Sequence, residues 1–209
     1  RDFGYKGKIV SFEPLTEARE KLLKTSKNDI HWEVAPQAAI GEGNGEIEIH
    51  IAGNSESSSL LEMLETHISA APNSKYIGNE IVPLRKLDTL APDFIENDSV
   101  VFLKIDTQGY EEQVMNGAHE LMKNIVGLQL EISLVPLYEG HGLLDEMLQN
   151  LKEKRFELWG VSSVFSDPDT AQLLQIDATF FRKSLVKNKK TLFKQKTKWD
   201  AGQIWRSLL

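Results

Sequence analysis

The sequence predicts an α/β fold, a doubly wound and mostly parallel sheet closed by an antiparallel hairpin. Three stretches carry the prediction. Val100-Val101-Phe102-Leu103-Lys104-Ile105 is a short apolar run, rich in β-branched and aromatic residues, that stops at Asp106. It is too short for a buried helix and reads as a strand covered on both faces. Thr107-Gln108-Gly109 follows as a turn in which Gly109 supplies backbone freedom, and Tyr110 to Met115 is helical, with Gly117 as its stop. Second, Lys8-Ile9-Val10-Ser11-Phe12 repeats the plan: a strand that ends at Glu13-Pro14, then a helix from Leu15 to Lys24 with Ala18, Leu22 and Leu23 inward. Third, Phe156 to Val161 and Gln175 to Arg182 are late strands joined by a loop over Ser162 to Thr170, which suits a hairpin at one sheet edge.

The remaining elements fall between these. His31 to Ala39 is a strand region, and Gly43-Asn44-Gly45 is a hairpin turn signal. Glu46 to Ile51 alternates with period two, a strand with one wet face on which His50 is solvated. Asn54 to Ser59 is a polar surface loop, Leu60 to Leu64 is helical, and Pro72 to Gly78 is loop. Glu80 to Leu84 is a strand, followed by a short helical stretch in which Leu87 and Leu90 are core and Asp88 caps or faces water. Ile125 to Ile132 is a further buried strand, and Val135 to His141 a loop. Leu143, Leu144, Met147, Leu148 and Leu151 form one apolar face of a helix.

Composition bounds the function. With 209 residues, 41% hydrophobic and 26% charged, the chain fits one soluble domain with a sizeable core. No apolar run nears the roughly 18 residues of a membrane span, and no signal-peptide pattern opens the chain, so a cytoplasmic protein is expected. The absence of cysteine removes disulfides and thiolate metal sites, and no metal is expected. The net charge of −7 is unevenly spread: residues 183–209 hold eight Lys or Arg and one Asp, whereas residues 1–182 hold 16 Lys or Arg and 30 Asp or Glu. The acidic body argues against a nucleic-acid groove, and residues 184–209 form a separate basic tail suited to an acidic partner.

Lys104-Ile105-Asp106-Thr107-Gln108-Gly109-Tyr110-Glu111-Glu112-Gln113-Val114-Met115-Asn116-Gly117-Ala118 resembles the signature of the FkbM-type methyltransferases, K-I-D-x-(E/Q)-G-x-E-x-x-(V/I)-(L/M)-x-G-A. Ser11-Phe12-Glu13-Pro14, the Ala39-Ile40-Gly41 turn, Leu137-Tyr138-Glu139-Gly140 and the closing Asp177, Phe180 and Arg182 are similar to further family segments. The resemblance covers residues 6–183. It implies a Rossmann-like class I fold, S-adenosylmethionine as cofactor, and transfer of a methyl group to a hydroxyl of a sugar, polyketide or lipid. It places Glu13 and Pro14 at the cofactor ribose, Ala39 and Ile40 beside the adenine, and the serine-rich loop over the cleft. The family's first element, D-x-G-A-N-x-G, cradles the methionine part of the cofactor and does not occur here. The chain therefore reads as a domain over 1–183 without its first βα unit, with weak cofactor binding when alone.

Methyl transfer to oxygen needs an aligned acceptor and a group to take its proton. The candidates at the predicted strand edge are Asp106, Glu111, Glu131 and His141: Asp106 or His141 as base, and Glu111 orienting the acceptor. Each has a plainer reading. Glu13 and Glu111 suit helix N-termini, Asp106 suits a turn cap, Glu131 suits a buried ion pair, and His141 suits a loop. Two other functions stay open, a nicotinamide-dependent oxidoreductase using Glu13 at the ribose, and an inactive binding or assembly module.

Overall fold

The strand, turn and helix anticipated around Asp106 form as β6 (Val101–Ile105) and α4 (Glu111–Asn116), and the other elements are arranged about them. The structure, a computed structural model, describes residues 5–183; the basic tail lies outside the described residues. The chain runs β1 (Ile9–Ser11), α1 (Thr16–Ser26), β2 (Trp32–Val34), β3 (Ala39–Ile40), β4 (Gly45–Ala52), α2 (Glu65–Ala70), β5 (Tyr76–Arg85), α3 (Leu87–Leu90), β6 and α4. It continues through β7 (Ile125–Ser133), α5 (Leu144–Glu153), β8 (Phe156–Ser166) and β9 (Leu173–Arg182).

The fold is mixed α/β, and among the described residues its strands form three hydrogen-bonded groups. β1 and β2 are parallel; β5 lies between β3 (parallel) and β4 (antiparallel); the third group has the order β6-β7-β9-β8. In that group β6 and β7 are parallel and the last three strands antiparallel, so the closing hairpin forms as expected. Alternate residues of this sheet, among them Ile105, Leu128, Leu130, Ile176, Ala178 and Phe180, pack with Val114 and Met115 of α4 and Met147 and Leu151 of α5 in the main core. A second cluster joins Leu15, Ala39, Ile49 and Val82.

Several expectations fail for physical reasons. Gly43-Asn44-Gly45 does not join a hairpin, because Leu84 of β5 pairs with both Ala39 and Gly45 and separates β3 from β4. Asn44 instead accepts the Lys86 N–H at 3.2 Å. Leu60 to Leu64 is not helical; the helix begins at Glu65, and part of Pro72 to Gly78 belongs to β5. The 31–39 region splits into β2 and β3, and the late loop is shorter because β8 continues to Ser166. Leu23 faces outward at 36% exposure. β6 is not covered on both faces, since Phe102 remains 48% exposed.

Gly117 shows a different reason for a glycine from the one its position suggests. Its φ of −77° is ordinary for any residue. A Cβ there would lie 1.9 Å from the Gly41 carbonyl oxygen, so the turn after β3 packs directly on the end of α4. Tyr110, the residue before α4, presses on Gly41: a Cβ on Gly41 would meet the Tyr110 ring at 2.9 Å.

Candidate active site

β6 ends at Ile105, and the next six residues build the centre of the site. Gln108 and Gly109 both adopt positive φ, +52° and +98°, which turns the chain sharply into α4. Glu111, 6% exposed, locks that turn. Its Oε1 accepts the N–H groups of Thr107 at 3.0 Å and Gly109 at 3.2 Å and the Thr107 hydroxyl at 3.2 Å. Burial pushes the Glu111 carboxyl up to about 7, with the Asp106 charge adding to it and the backbone donors opposing. The geometry is that of a carboxylate satisfying backbone donors around a helix start.

Gln108 is the hub. It is buried, and its Nε2 donates to Asp106 Oδ1 at 2.9 Å and to Glu131 Oε2. Its Oε1 accepts the Tyr138 hydroxyl at 2.8 Å, and its backbone carbonyl accepts the Ser59 hydroxyl at 2.7 Å. Because Tyr138 is a donor here, the amide is oriented with both N–H bonds toward the carboxylates. Glu131, 7% exposed on β7, is driven well above the carboxylate range, first by burial and then by Asp106 and Glu111. Asp106 differs from its neighbours: its side chain is 40% exposed, and its Oδ2 lies 3.4 Å from Lys104 Nζ.

His141 joins from the side. A Cβ on Gly109 would meet its Cβ at 3.2 Å, and its ring stands edge-on to Tyr138 at 6.0 Å. Its Nε2 accepts the Leu137 N–H at 3.1 Å, and burial pushes the imidazole below its usual range. The neutral ring therefore carries its proton on Nδ1 and has no free basic nitrogen. Asp106, Glu111, Glu131 and His141 thus come together, and Asp106 alone of them combines exposure with a reachable oxygen.

Gln108, Tyr138, Ser59 and His67 join these residues without having been expected from their own sequence pattern. Gln108 and Tyr138 sit inside the segments quoted above, D-x-(E/Q)-G and L-Y-x-G. His67 of α2 is 2% exposed, contacts Tyr138 and Phe165 at 5.1 and 5.2 Å, and leaves Nδ1 without a partner. Burial lowers it to about 4. The loop from Asn54 to Ser59 is partly interior, with Ser57 and Ser59 buried over Tyr138 and Gln108. His50 is not solvated: it stacks on Tyr76 at 4.8 Å and contacts Asn79 at 3.0 Å and Glu62 at 3.4 Å.

The expected cofactor residues form a second set. Glu13 Oε1 accepts the Leu15 N–H at 2.9 Å, and among the described residues Oε2 takes no hydrogen bond. Burial raises the Glu13 carboxyl, with Glu80 adding to the rise and the Leu15 N–H opposing it. Gln37 Nε2 donates to the Pro14 carbonyl at 2.7 Å and to Glu80 at 3.1 Å, so the β1–α1 turn and the approach to β3 are tied together. Ala39 and Ile40 are 3% and 9% exposed and pack in the two clusters already described. A groove of about 520 Å³ lies beside α1 and β2, lined by Leu23, Ile30 and Trp32 among others, and shares no residue with either set. Among the described residues no group of three or more His, Asp or Glu is placed to hold a metal ion, and no helix is long and apolar enough to cross a membrane.

A family model described as the methyltransferase FkbM domain matches residues 1–158. Its span takes in the Glu13 turn, the Asp106–Gln108–Glu111 turn, Glu131, Tyr138 and His141, and ends within β8. Neither the curated proteins nor the solved structures give a match. A match over more than half of the chain, on the segments that build this site, shows that the chain belongs to the FkbM methyltransferase domain family.

Proposed function

We propose that the chain moves the methyl group of S-adenosylmethionine to a hydroxyl of a small molecule or glycan, with Asp106 taking the hydroxyl proton. The observation that carries this reading is the division of labour among three clustered carboxyls. Glu111 is committed to its own turn and Glu131 is buried on Gln108, whereas Asp106 stays accessible at the strand end.

The cofactor supplies an electrophilic methyl group on a sulfonium. The residues of the chain hold and orient its partners. Glu13 fits the ribose, because its unpartnered oxygen and the one held by Leu15 can together face a vicinal diol. Ala39 and Ile40 are buried side chains and offer backbone rather than side-chain contact to a base. Gln108 fixes Asp106 through Oδ1, Glu131 and Lys104 lie against the same carboxylate, and its exposed side takes the acceptor proton. His141 and Tyr138 hold the wall behind Gly109 and Gln108 and act as positioning residues.

No D-x-G-A-N-x-G segment is present in the sequence. Among the described residues β1 pairs only with β2 and β6 only with β7, so each offers a free edge suited to the strand of such a unit. Residues 1–209 alone are therefore expected to bind S-adenosylmethionine weakly, and a micromolar Kd by calorimetry would overturn that. The reaction is tested with methyl-labelled cofactor at high concentration and a panel of hydroxylated acceptors. Asp106→Asn is expected to slow transfer about 100-fold, the usual worth of a general base. An unchanged rate removes Asp106 as base, and label recovered on nitrogen or carbon removes transfer to oxygen.

A further inference from the structure

Helix α1 begins without a cap of its own. Leu15 stands at the cap position and has no acceptor in its side chain, so the first N–H groups need acceptors from elsewhere. Two carboxylates supply them. Glu13 Oε1 accepts the Leu15 N–H at 2.9 Å. The next donor, the Thr16 N–H, goes to Glu80 of β5, 64 positions along the chain, with both oxygens at 3.3 Å. Glu80 Oε1 also accepts the Thr16 hydroxyl. Gln37 Nε2 closes the group, donating to Glu80 Oε1 at 3.1 Å, to the Thr16 hydroxyl oxygen at 3.0 Å and to the Pro14 carbonyl at 2.7 Å.

The strand that carries Glu80 fixes its place. Side chains two apart on a strand share a face, so Glu80 lies beside Val82, which is buried in one cluster with Leu15. Alternate residues of β5 thus hold adjacent residues of the turn, Val82 by packing and Glu80 by hydrogen bonds. Without Glu80 the Thr16 N–H would turn to the acids of its own turn. Glu17 is taken by Lys21 at 2.7 Å. Glu13 has an oxygen to give, because among the described residues its Oε2 takes no hydrogen bond. The two carboxylates also repel: burial raises the Glu13 carboxyl, and the Glu80 charge adds to the rise. Glu80 therefore opposes an inward turn of Glu13 twice, by filling the donor and by its charge.

We propose that Glu80 is a positioning residue for the ribose: by occupying the Thr16 N–H it keeps the outer oxygen of Glu13 off the helix start and leaves it for the diol. This role rests on the reading of Glu13 as the ribose residue. Glu80 is not itself a ribose ligand, because both of its oxygens are committed to Thr16. Gln37 serves the same task, since its amide ties Glu80 to the Pro14 carbonyl. The consequence is selective. When Glu80 is removed, Glu13 spans the Leu15 and Thr16 N–H groups as a helix cap does, and the diol loses an acceptor while the base loses none.

The test titrates the full 209-residue chain with adenosine and with 2′-deoxyadenosine, probes that carry no methionine part, and reads binding by NMR. Wild type should prefer adenosine about tenfold, the lower end of what a hydrogen bond to a charged group is worth. Glu80→Ala should abolish that preference. Glu80→Gln, which keeps an acceptor for the Thr16 N–H, should retain it. Adding Thr16→Pro to Glu80→Ala should restore it: proline suits a first helical position, Leu15 is already extended as a residue before proline must be, and the competing N–H is gone. A merely structural Glu80 would weaken both nucleosides alike, leave their ratio unchanged and gain nothing from Thr16→Pro, and that result overturns the proposal. A measurement without ligand stands beside it. The Thr16 amide shift should follow the titration of the Glu13 carboxyl in Glu80→Ala and not in wild type. The same Thr16 response in both overturns the positioning role and leaves Glu13 at the ribose. A wild type that shows no preference, or binds neither nucleoside, removes Glu13 from the ribose and the proposal with it.

Discussion

Glu111→Gln should change how stability depends on pH, in a direction that follows from its burial. The carboxyl is held at about 7, against an ordinary value of 4.5, so the folded protein binds its proton more tightly than the unfolded chain does. A raised carboxyl contributes stability that is complete below about 4.5 and is lost as pH rises through about 7. The rise from 4.5 to about 7 corresponds to about 3.5 kcal/mol in full, at ~1.4 kcal/mol for each pH unit. Glutamine keeps an oxygen for the Thr107 and Gly109 N–H groups and has no proton to lose. Urea unfolding at pH 5, 6, 7 and 8 reads the result. The wild type should lose about 2.5 kcal/mol more than Glu111→Gln between pH 5 and pH 8, the rest of the effect lying below pH 5. Glu131 is raised as well and leaves a residual slope in both proteins. Parallel curves for wild type and variant would refute the argument and place Glu111 in a more hydrated setting than its 6% exposure implies.

Two further substitutions separate packing from polar organisation. Gly117→Ala should lower Tm by about 2–12 °C, because a Cβ meeting backbone costs about 1–3 kcal/mol and each kcal/mol shifts a domain of this size by ~2–4 °C. Gly45→Ala, where a Cβ meets nothing within 4 Å, is its control and should leave Tm within about 1 °C. Gln108→Leu should destabilise by about 2–4 kcal/mol in denaturant titration, since it strands the Tyr138 hydroxyl and removes both donors from the carboxylates. A loss below about 1 kcal/mol would mean that water replaces the amide.

The sequence reveals what is local. The β6 strand, the glycine at positive φ and α4 are legible because an apolar run, a turn and a helix follow one another within 19 residues, and Asp106 inherits its place from them. The Glu13 turn is legible for the same reason. What stays hidden depends on partners far apart in the chain. Ser59 reaches Gln108 across 49 positions and Tyr138 reaches it across 30, and neither separation leaves a periodic trace. The insertion of β5 between β3 and β4 is hidden likewise: β3 has only two residues, too few to compete for pairing against the ten-residue β5. Phe102 looked like core because composition cannot tell a covered sheet face from an open one. His50 looked solvated because alternation assigns it the polar side, whereas Tyr76 and Asn79 across the β4–β5 ladder cover that side.

The choice of glutamine at position 108 explains how three carboxyls share so small a volume. The family pattern admits Glu or Gln here. A glutamate would face Asp106 and Glu131 with acceptors only, and like charges at hydrogen-bond distance would have to recruit protons. The amide instead offers two donors and one acceptor from a single plane. The Tyr138 hydroxyl decides which end points where, and Ser59 pins the backbone that carries it. Glu111 removes the remaining freedom by binding the turn itself. Asp106 is therefore oriented by buried groups that do not need to meet solvent, while its own outer oxygen does. Rigidity on the inside and access on the outside are what the proposed base requires, and the strand end supplies both from one turn.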